Sequence, residues 1–176
     1  MKINTLKQHL KGLHEAALIE IILDLNKTFK DVQEYLQVKF TPENTSEIYE
    51  KYKKLIKAEF FPARGYGKCR LSKAGKAISD FKKLKVHREQ VFDLMIFYVE
   101  MGADYTNTYG DIDAEFYEKM EDMFENALMD IVDFGLQEQF ISRCEAIVEE
   151  TANIGWGFHD TLGEIYCKYF KSDDEN

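Results

Sequence analysis

Residues Arg88–Asp104 read REQVFDLMIFYVEMGAD, and this stretch decides the fold. Its apolar residues fall on nearly every side of a 3.6-residue helix, so it reads as a helix placed at the centre of a core. Its longest apolar run, Leu94–Val99, is far short of the roughly 20 residues that a membrane-spanning helix needs, so no membrane partner is expected.

Helical spacing recurs on both sides of this centre. Ala74, Ala77, Ile78 and Phe81 predict a helix over 72–84, with Ser72 as its cap. Phe116, Tyr117, Met120, Met123, Phe124, Ala127, Leu128 and Ile131 predict another over 113–133. Phe140, Ile141, Cys144, Ile147 and Val148 mark one over 136–151, and Leu162, Ile165, Tyr166 and Tyr169 mark a last one ending near Phe170. Toward the N-terminus, Ile48, Tyr52, Leu55, Ile56 and Phe60 align over 46–61, and Val32, Tyr35 and Leu36 over 30–39. Leu6, Leu10 and Leu13, then Ala17, Leu18, Ile21, Ile22 and Leu25, form two more helices divided at Gly12. The central helix is expected to end near Asp104.

Only two prolines occur, Pro42 and Pro62, and no long apolar/polar alternation appears, so a sheet protein is excluded. Brief connections imply antiparallel neighbours. The expected fold is all-α, with about nine helices in antiparallel hairpins, arranged as an α-α superhelix (solenoid-like) or an irregular bundle. Residues 1–171 are expected to form a single domain, and 172–176 a frayed acidic tail.

With 45% apolar residues in 176, the composition is globular rather than disordered. A core of this size needs neither metal nor disulfide to form. Cys69, Cys144 and Cys167 are odd in number and follow no motif, which reads as reduced thiols in a cytoplasm. The opening MKINTLKQHLKGLH lacks the apolar centre of a secretory leader, so no leader is expected.

Charge is unevenly spread within a net of -9. Residues 1–90 carry 19 basic and 11 acidic side chains, and residues 91–176 carry 4 and 21. Between Lys51 and Arg88 there are 13 basic residues against Glu59 and Asp80. One reading is a nucleic-acid site in which Lys53, Lys54, Lys57, Arg64, Lys68, Arg70 and Lys73 contact phosphates. The other is that this segment faces the chain's own acidic half or water. Overall acidity opposes a polyanion, so nucleic acid is the less favoured partner. On the 113–133 helix, Glu118, Glu121, Asp122 and Glu125 share a face. Carboxylates so spaced suit a cation, but no histidine or calcium-loop pattern joins them. They read as a solvated face or a dock for basic helices.

Three loops are the least generic parts of the chain: 62–70, 105–112 and 152–159. In an up-down array alternate loops lie at one end, so these three share an edge. The edge gathers Arg64, Lys68 and Arg70 beside Tyr66, then Tyr105, Asn107, Tyr109, Asp111 and Asp113, then Trp156, His159 and Asp160. Such a mixture suits a small-molecule or peptide site. The competing reading is structural. There Arg64 or Arg70 pairs with Asp111 or Asp113, an aspartate caps the following helix, Trp156 fills the core beside Gly155 and Gly157, and His159 is a buried, hydrogen-bonded histidine.

Familiar chemistry is missing. His9, His14, His87 and His159 are scattered, and no Ser or Cys is set beside a histidine in sequence. No paired cysteines, helical histidine pair or Glu-x-x-His appear, so no metal and no cofactor is expected. RGYGK lacks the spacing and preceding strand of a phosphate loop. Cys69, in a basic loop, is a candidate for a lowered thiol pKa.

Residues 60–84 (FFPARGYGKCRLSKAGKAISDFKKL), 105–124 (YTNTYGDIDAEFYEKMEDMF) and 154–170 (IGWGFHDTLGEIYCKYF) resemble an uncharacterised bacterial family of small all-helical proteins. The likeness extends over most of the chain. It implies a helical fold and a bacterial cytoplasm, and it assigns no activity and no catalytic residue. The residues themselves favour a non-enzymatic interaction module, binding a protein segment or an anionic small ligand at the three-loop edge. Nucleic-acid binding through 51–88 is the runner-up, and an enzyme using His159, Asp160 and Arg64 comes third. No motif sets the oligomeric state.

Overall fold

A computed structural model describes residues 1–171, and the acidic tail 172–176 lies outside the described residues. These residues hold nine α-helices and no strand, an all-α fold. They divide into two compact units, one over Met1–Ile48 and one from Tyr49 onward.

The first unit contains α1 (Ile3–Lys11), α2 (Glu15–Thr28), α3 (Lys30–Phe40) and a 3-10 turn, Pro42–Asn44, that leads into α4 (Thr45–Phe60). Gly12 separates α1 from α2, as the sequence implied. The Thr41 hydroxyl donates to the Gln37 carbonyl at 2.8 Å, which closes α3, and that of Thr45 donates to the Pro42 carbonyl at 2.6 Å. α2 packs against α3, yet neither α1 nor α2 buries a residue.

The second unit is built on α6 (Arg88–Tyr109), whose residues Val91, Phe92 and Leu94–Val99 are all buried. α5 (Leu71–Lys83) and α7 (Ala114–Asp133) flank it, and α8 (Gln137–Glu150) and α9 (Phe158–Phe170) complete the unit. Hairpin α6–α7 stacks on hairpin α8–α9, with α6 against α8 and α7 against α9. At four helices a hairpin stack and a bundle are one object: each helix touches at least two others around a common core. Phe124, Leu128 and Ile131 of α7 and Phe158 and Leu162 of α9 are fully buried there. Each such side chain is worth roughly 1.5–3 kcal/mol of apolar transfer.

Two boundaries differ from expectation. α6 continues past Asp104 to Tyr109, because Ala103 and Thr106 are buried and the Thr106 hydroxyl bonds back to the Gly102 carbonyl at 3.2 Å. Packing overrides the poor helix propensity of TNTY. α5 is entered from Arg70, with no side-chain cap, and Ser72 sits inside its first turn.

The core has one charged joint. Arg143 on α8 donates through Nη2 to Glu100 Oε2 of α6 at 2.8 Å and also grips Asp93. Asp93 in turn accepts the Tyr49 hydroxyl of α4. Burial works against the Arg143 charge, but Glu100 and Asp93 hold its pKa above the ordinary value. Burial, then Asp93, raises the Tyr49 hydroxyl. The acidic face of α7 is a dock: Glu125 takes Lys168 of α9 at 2.6 Å and the Tyr169 hydroxyl at 3.2 Å.

Arg143→Met is expected to lower unfolding stability in urea by about 2 kcal/mol, since it strands two half-buried carboxylates. Tyr49→Phe removes one hydrogen bond and is expected to cost about 1 kcal/mol. Glu121 gives a pH signature. Burial, then Glu118 and Asp122, raises its carboxyl pKa, with the Thr161 hydroxyl acting against them. The folded state therefore holds that proton more tightly, and stability is lost as pH rises from about 4.3 through the raised value. Glu121→Gln is expected to stabilise by about 0.5 kcal/mol at pH 7 and to have no effect below about pH 4.

Candidate functional site

After Phe60 the chain turns back along the last turn of α4. The Cys69 amide donates to the Glu59 carbonyl at 2.8 Å, and Arg70 clasps the Glu59 carboxylate at 2.7 and 2.8 Å. Arg70 thus pairs with the preceding helix and not with Asp111 or Asp113. Gly67 is required by contact, since a Cβ there would stand 1.9 Å from the Phe60 carbonyl oxygen. Arg64, Tyr66 and Lys68 form an exposed tip, with Tyr66 82% exposed. The Cys69 thiol is pushed up to about 11 by burial and by Glu59 and Asp113, while the Tyr105 hydroxyl acts the other way. The expectation of a lowered thiol pKa fails first because the thiol is half-buried, and then because the charges that act on it are the Glu59 and Asp113 carboxylates.

The continued α6 changes the second loop. Tyr105, Asn107 and Tyr109 are helical, and the rings of Tyr105 and Tyr109 meet one turn apart at 4.8 Å. Tyr109 stacks on Phe61 at 6.1 Å and takes the edge of Tyr66 at 6.0 Å. Asn107 donates to the Glu150 carbonyl at 3.0 Å, which closes the end of α8. Gly110, at φ +90°, ends α6. Asp111 accepts from the Tyr117 hydroxyl at 2.9 Å and from the Gly155 amide at 3.3 Å, joining the second loop to the third. A Cβ on Gly155 would stand 2.9 Å from Asp111 Oδ2, so glycine is needed there for this approach. Asp113 caps α7, accepting from the Phe116 amide at 2.8 Å, as one reading of the sequence required.

In the third loop, His159 Nδ1 lies 2.9 Å from the Val148 carbonyl and 3.3 Å from the Thr151 hydroxyl. A carbonyl only accepts, so Nδ1 carries the proton and fastens α9 to the end of α8. Asp160 is exposed in the first turn of α9, where its charge complements the helix dipole. Trp156 departs from the core-filling expectation: it is 63% exposed and held at φ +62°. The space beside Gly155 belongs to Asp111, so the indole stays outside, with its ring 6.4 Å from that of Tyr117.

The three loops therefore do meet. A continuous series of rings runs Tyr66, Tyr109, Tyr105, Phe116, Tyr117 and Trp156, exposed at both ends and buried in the middle. An open recess of about 300 Å³ lies beside it, lined by Cys69, Ser72, Asp113, Glu115, Phe116 and Lys119.

A family model described as a family of unknown function (DUF6155) matches residues 1–170. The chain belongs to this family. No match was found among curated proteins or solved structures. The family description assigns no activity, so the reading of the site rests on its geometry.

Several cations of the basic segment have partners within the chain. Arg70 is bound to Glu59, and Lys53 lies 4.7 Å over the Phe97 ring. Lys83 pairs with Asp80 at 2.7 Å, and Lys82 with Asp130 at 3.8 Å. Lys54, Lys57, Arg64, Lys68 and Lys73 are exposed. The sequence reading missed the Arg143 cluster. Its signals were a carboxylate, Asp93, inside the apolar central helix, and a lone arginine inside an acidic one. Beside this cluster the side-chain oxygen of Gln90 is buried without a hydrogen-bond partner among the described residues.

The polar side chains of the edge should matter for stability and the exposed rings should not. Asp111→Ala and His159→Ala are each expected to cost about 1–2 kcal/mol in urea unfolding. Trp156→Gly is expected to be neutral or slightly stabilising, because it removes a left-handed side chain that buries little.

Proposed function

We propose that the chain is a non-enzymatic interaction module whose ring-lined edge, from Tyr66 to Trp156, takes up a protein segment. The observation that carries this reading is Trp156 itself, exposed and in the left-handed region at φ +62°. That conformation costs a bulky residue on the order of 1–2 kcal/mol. The indole recovers little of this by burial in the chain, so folding alone gives no reason for its placement. A binding partner does, since exposed tryptophan and tyrosine are the side chains that anchor interfaces.

The surrounding groups refine the reading. Asn107, Asp111, Asp113 and His159 hold loops and helix ends together, so they are scaffold rather than chemistry. Arg64 and Lys68 next to Tyr66 favour acidic residues in the partner. The recess carries Asp113 and Glu115 as well as Lys119, which favours a protein segment over an anionic small molecule. A bacterial cytoplasm is the setting we propose, consistent with three free cysteines.

Trp156 is the only tryptophan, so its fluorescence reports on the edge directly. Peptides selected from a random display library against the full chain are expected to shift that emission and to bind Trp156→Ala or Tyr109→Ala at least about tenfold more weakly. Selected peptides that bind both variants as tightly as the parent chain would place the interaction elsewhere and overturn the proposal.

A further inference from the structure

The Met1–Ile48 unit leaves more apolar surface uncovered than its own helices can explain. From Ile3 to Phe40, ten large apolar side chains are between 38 and 83% exposed. At roughly 180 Å² for a side chain of this size, they present on the order of 900 Å². A stable dimer buries about 800 Å² per partner, so the total is of the size that a dimer needs.

The pattern also states what would cover it. On α1, Ile3, Leu6 and Leu10 form one stripe, and residues 1–14 carry three lysines and no acid. α2 has two stripes, one through Leu18, Ile21, Ile22 and Leu25 and one through Ala16, Ile19 and Leu23. A helix with two stripes needs two neighbours, and within the unit α3 packs along it. α2 carries three acids, Glu15, Glu20 and Asp24, against one base, Lys27. A largely exposed stripe on a basic helix and a largely exposed stripe on an acidic helix thus occur in one chain. Two copies satisfy both at once, with α1 of each lying along α2 of the other. Such an isologous contact is made twice and doubles the area buried.

We infer that the Met1–Ile48 unit is a homodimerisation element, in which the basic α1 of one copy packs on the acidic α2 of a second copy. Sedimentation equilibrium of the full chain at micromolar concentration is expected to give twice the 20.6 kDa of one chain. Ile22 is 48% exposed, so Ile22→Glu leaves the folded protomer undisturbed, which circular dichroism checks. It is expected to raise the dimer dissociation constant at least about a hundredfold. Lys7→Glu with Lys11→Glu is expected to raise it about tenfold, and adding Glu20→Lys with Asp24→Lys to restore it.

A monomeric parent chain overturns the proposal, as does a dimer that Ile22→Glu leaves intact. Failure of the second pair of charge reversals to restore the dimer overturns the α1–α2 pairing. Vesicles of phosphatidylserine and phosphatidylcholine supply the remaining arm: a chain that is monomeric in solution and binds them through Ile22 is a membrane-surface protein instead.

Discussion

A helix that is apolar on almost every side has to be enclosed, and the Tyr49 unit follows from enclosing α6. α5 and α7 cover two of its faces and α8 a third. α9 then closes the ring by packing on α7 and α8. Enclosure creates an electrostatic problem, because α6 brings Asp93 and Glu100 with it. Neither carboxylate reaches bulk water freely, with side-chain exposures of 27% and 24%. One arginine, Arg143, answers both in a forked arrangement, and Tyr49 fills the remaining acceptor site on Asp93. A partly buried charge cluster of this kind gains little net stability but penalises any other register of α8 on α6. It therefore fixes which faces meet, while the apolar contacts supply the free energy.

The same stacking determines the character of the loop edge. Once α6 lies on α8 and α7 on α9, the ends of α6 and α8 arrive together and must satisfy their last carbonyls and first amides. Asn107, Asp111, Asp113 and His159 are taken up by this task. Each of these groups thereby commits a hydrogen-bonding position to a helix junction. What the edge still offers a partner is aromatic surface with two exposed cations beside it. Exposed aromatic rings beside cations are the feature on which the proposed interaction module rests.

Helix existence was legible because apolar spacing is a property of single elements. Gly12, Asp113 and the hairpin order could be read in the same way, and alternation of loop ends brought the three loops together. What escaped were features set by two elements at once. The end of α6 depends on Ala103 and Thr106 finding cover, which no local propensity announces. Trp156 looked like a core residue by type, but Asp111 reached the space beside Gly155. Cys69 sits among basic residues in sequence and beside Glu59 and Asp113 in space. The Arg143 cluster left a trace in the sequence, a single charge misplaced in each of two helices, and pairing such misplaced charges would have found it.

The two units obey the same rule with opposite results. From Tyr49 onward, helical stripes find partners within the chain, and large side chains such as Phe81, Phe124 and Phe158 are sealed. In Met1–Ile48 the stripes are equally regular, yet α1 and α2 bury nothing. A segment of this length encloses too little surface to hold a core by itself. Apolar periodicity states only that a helix requires cover, and it says nothing of whose. The opposite charges flanking the stripes of α1 and α2 carry that second piece of information. The basic and acidic helices are successive in one chain, and this is why the proposed cover for the unit is a second copy of itself.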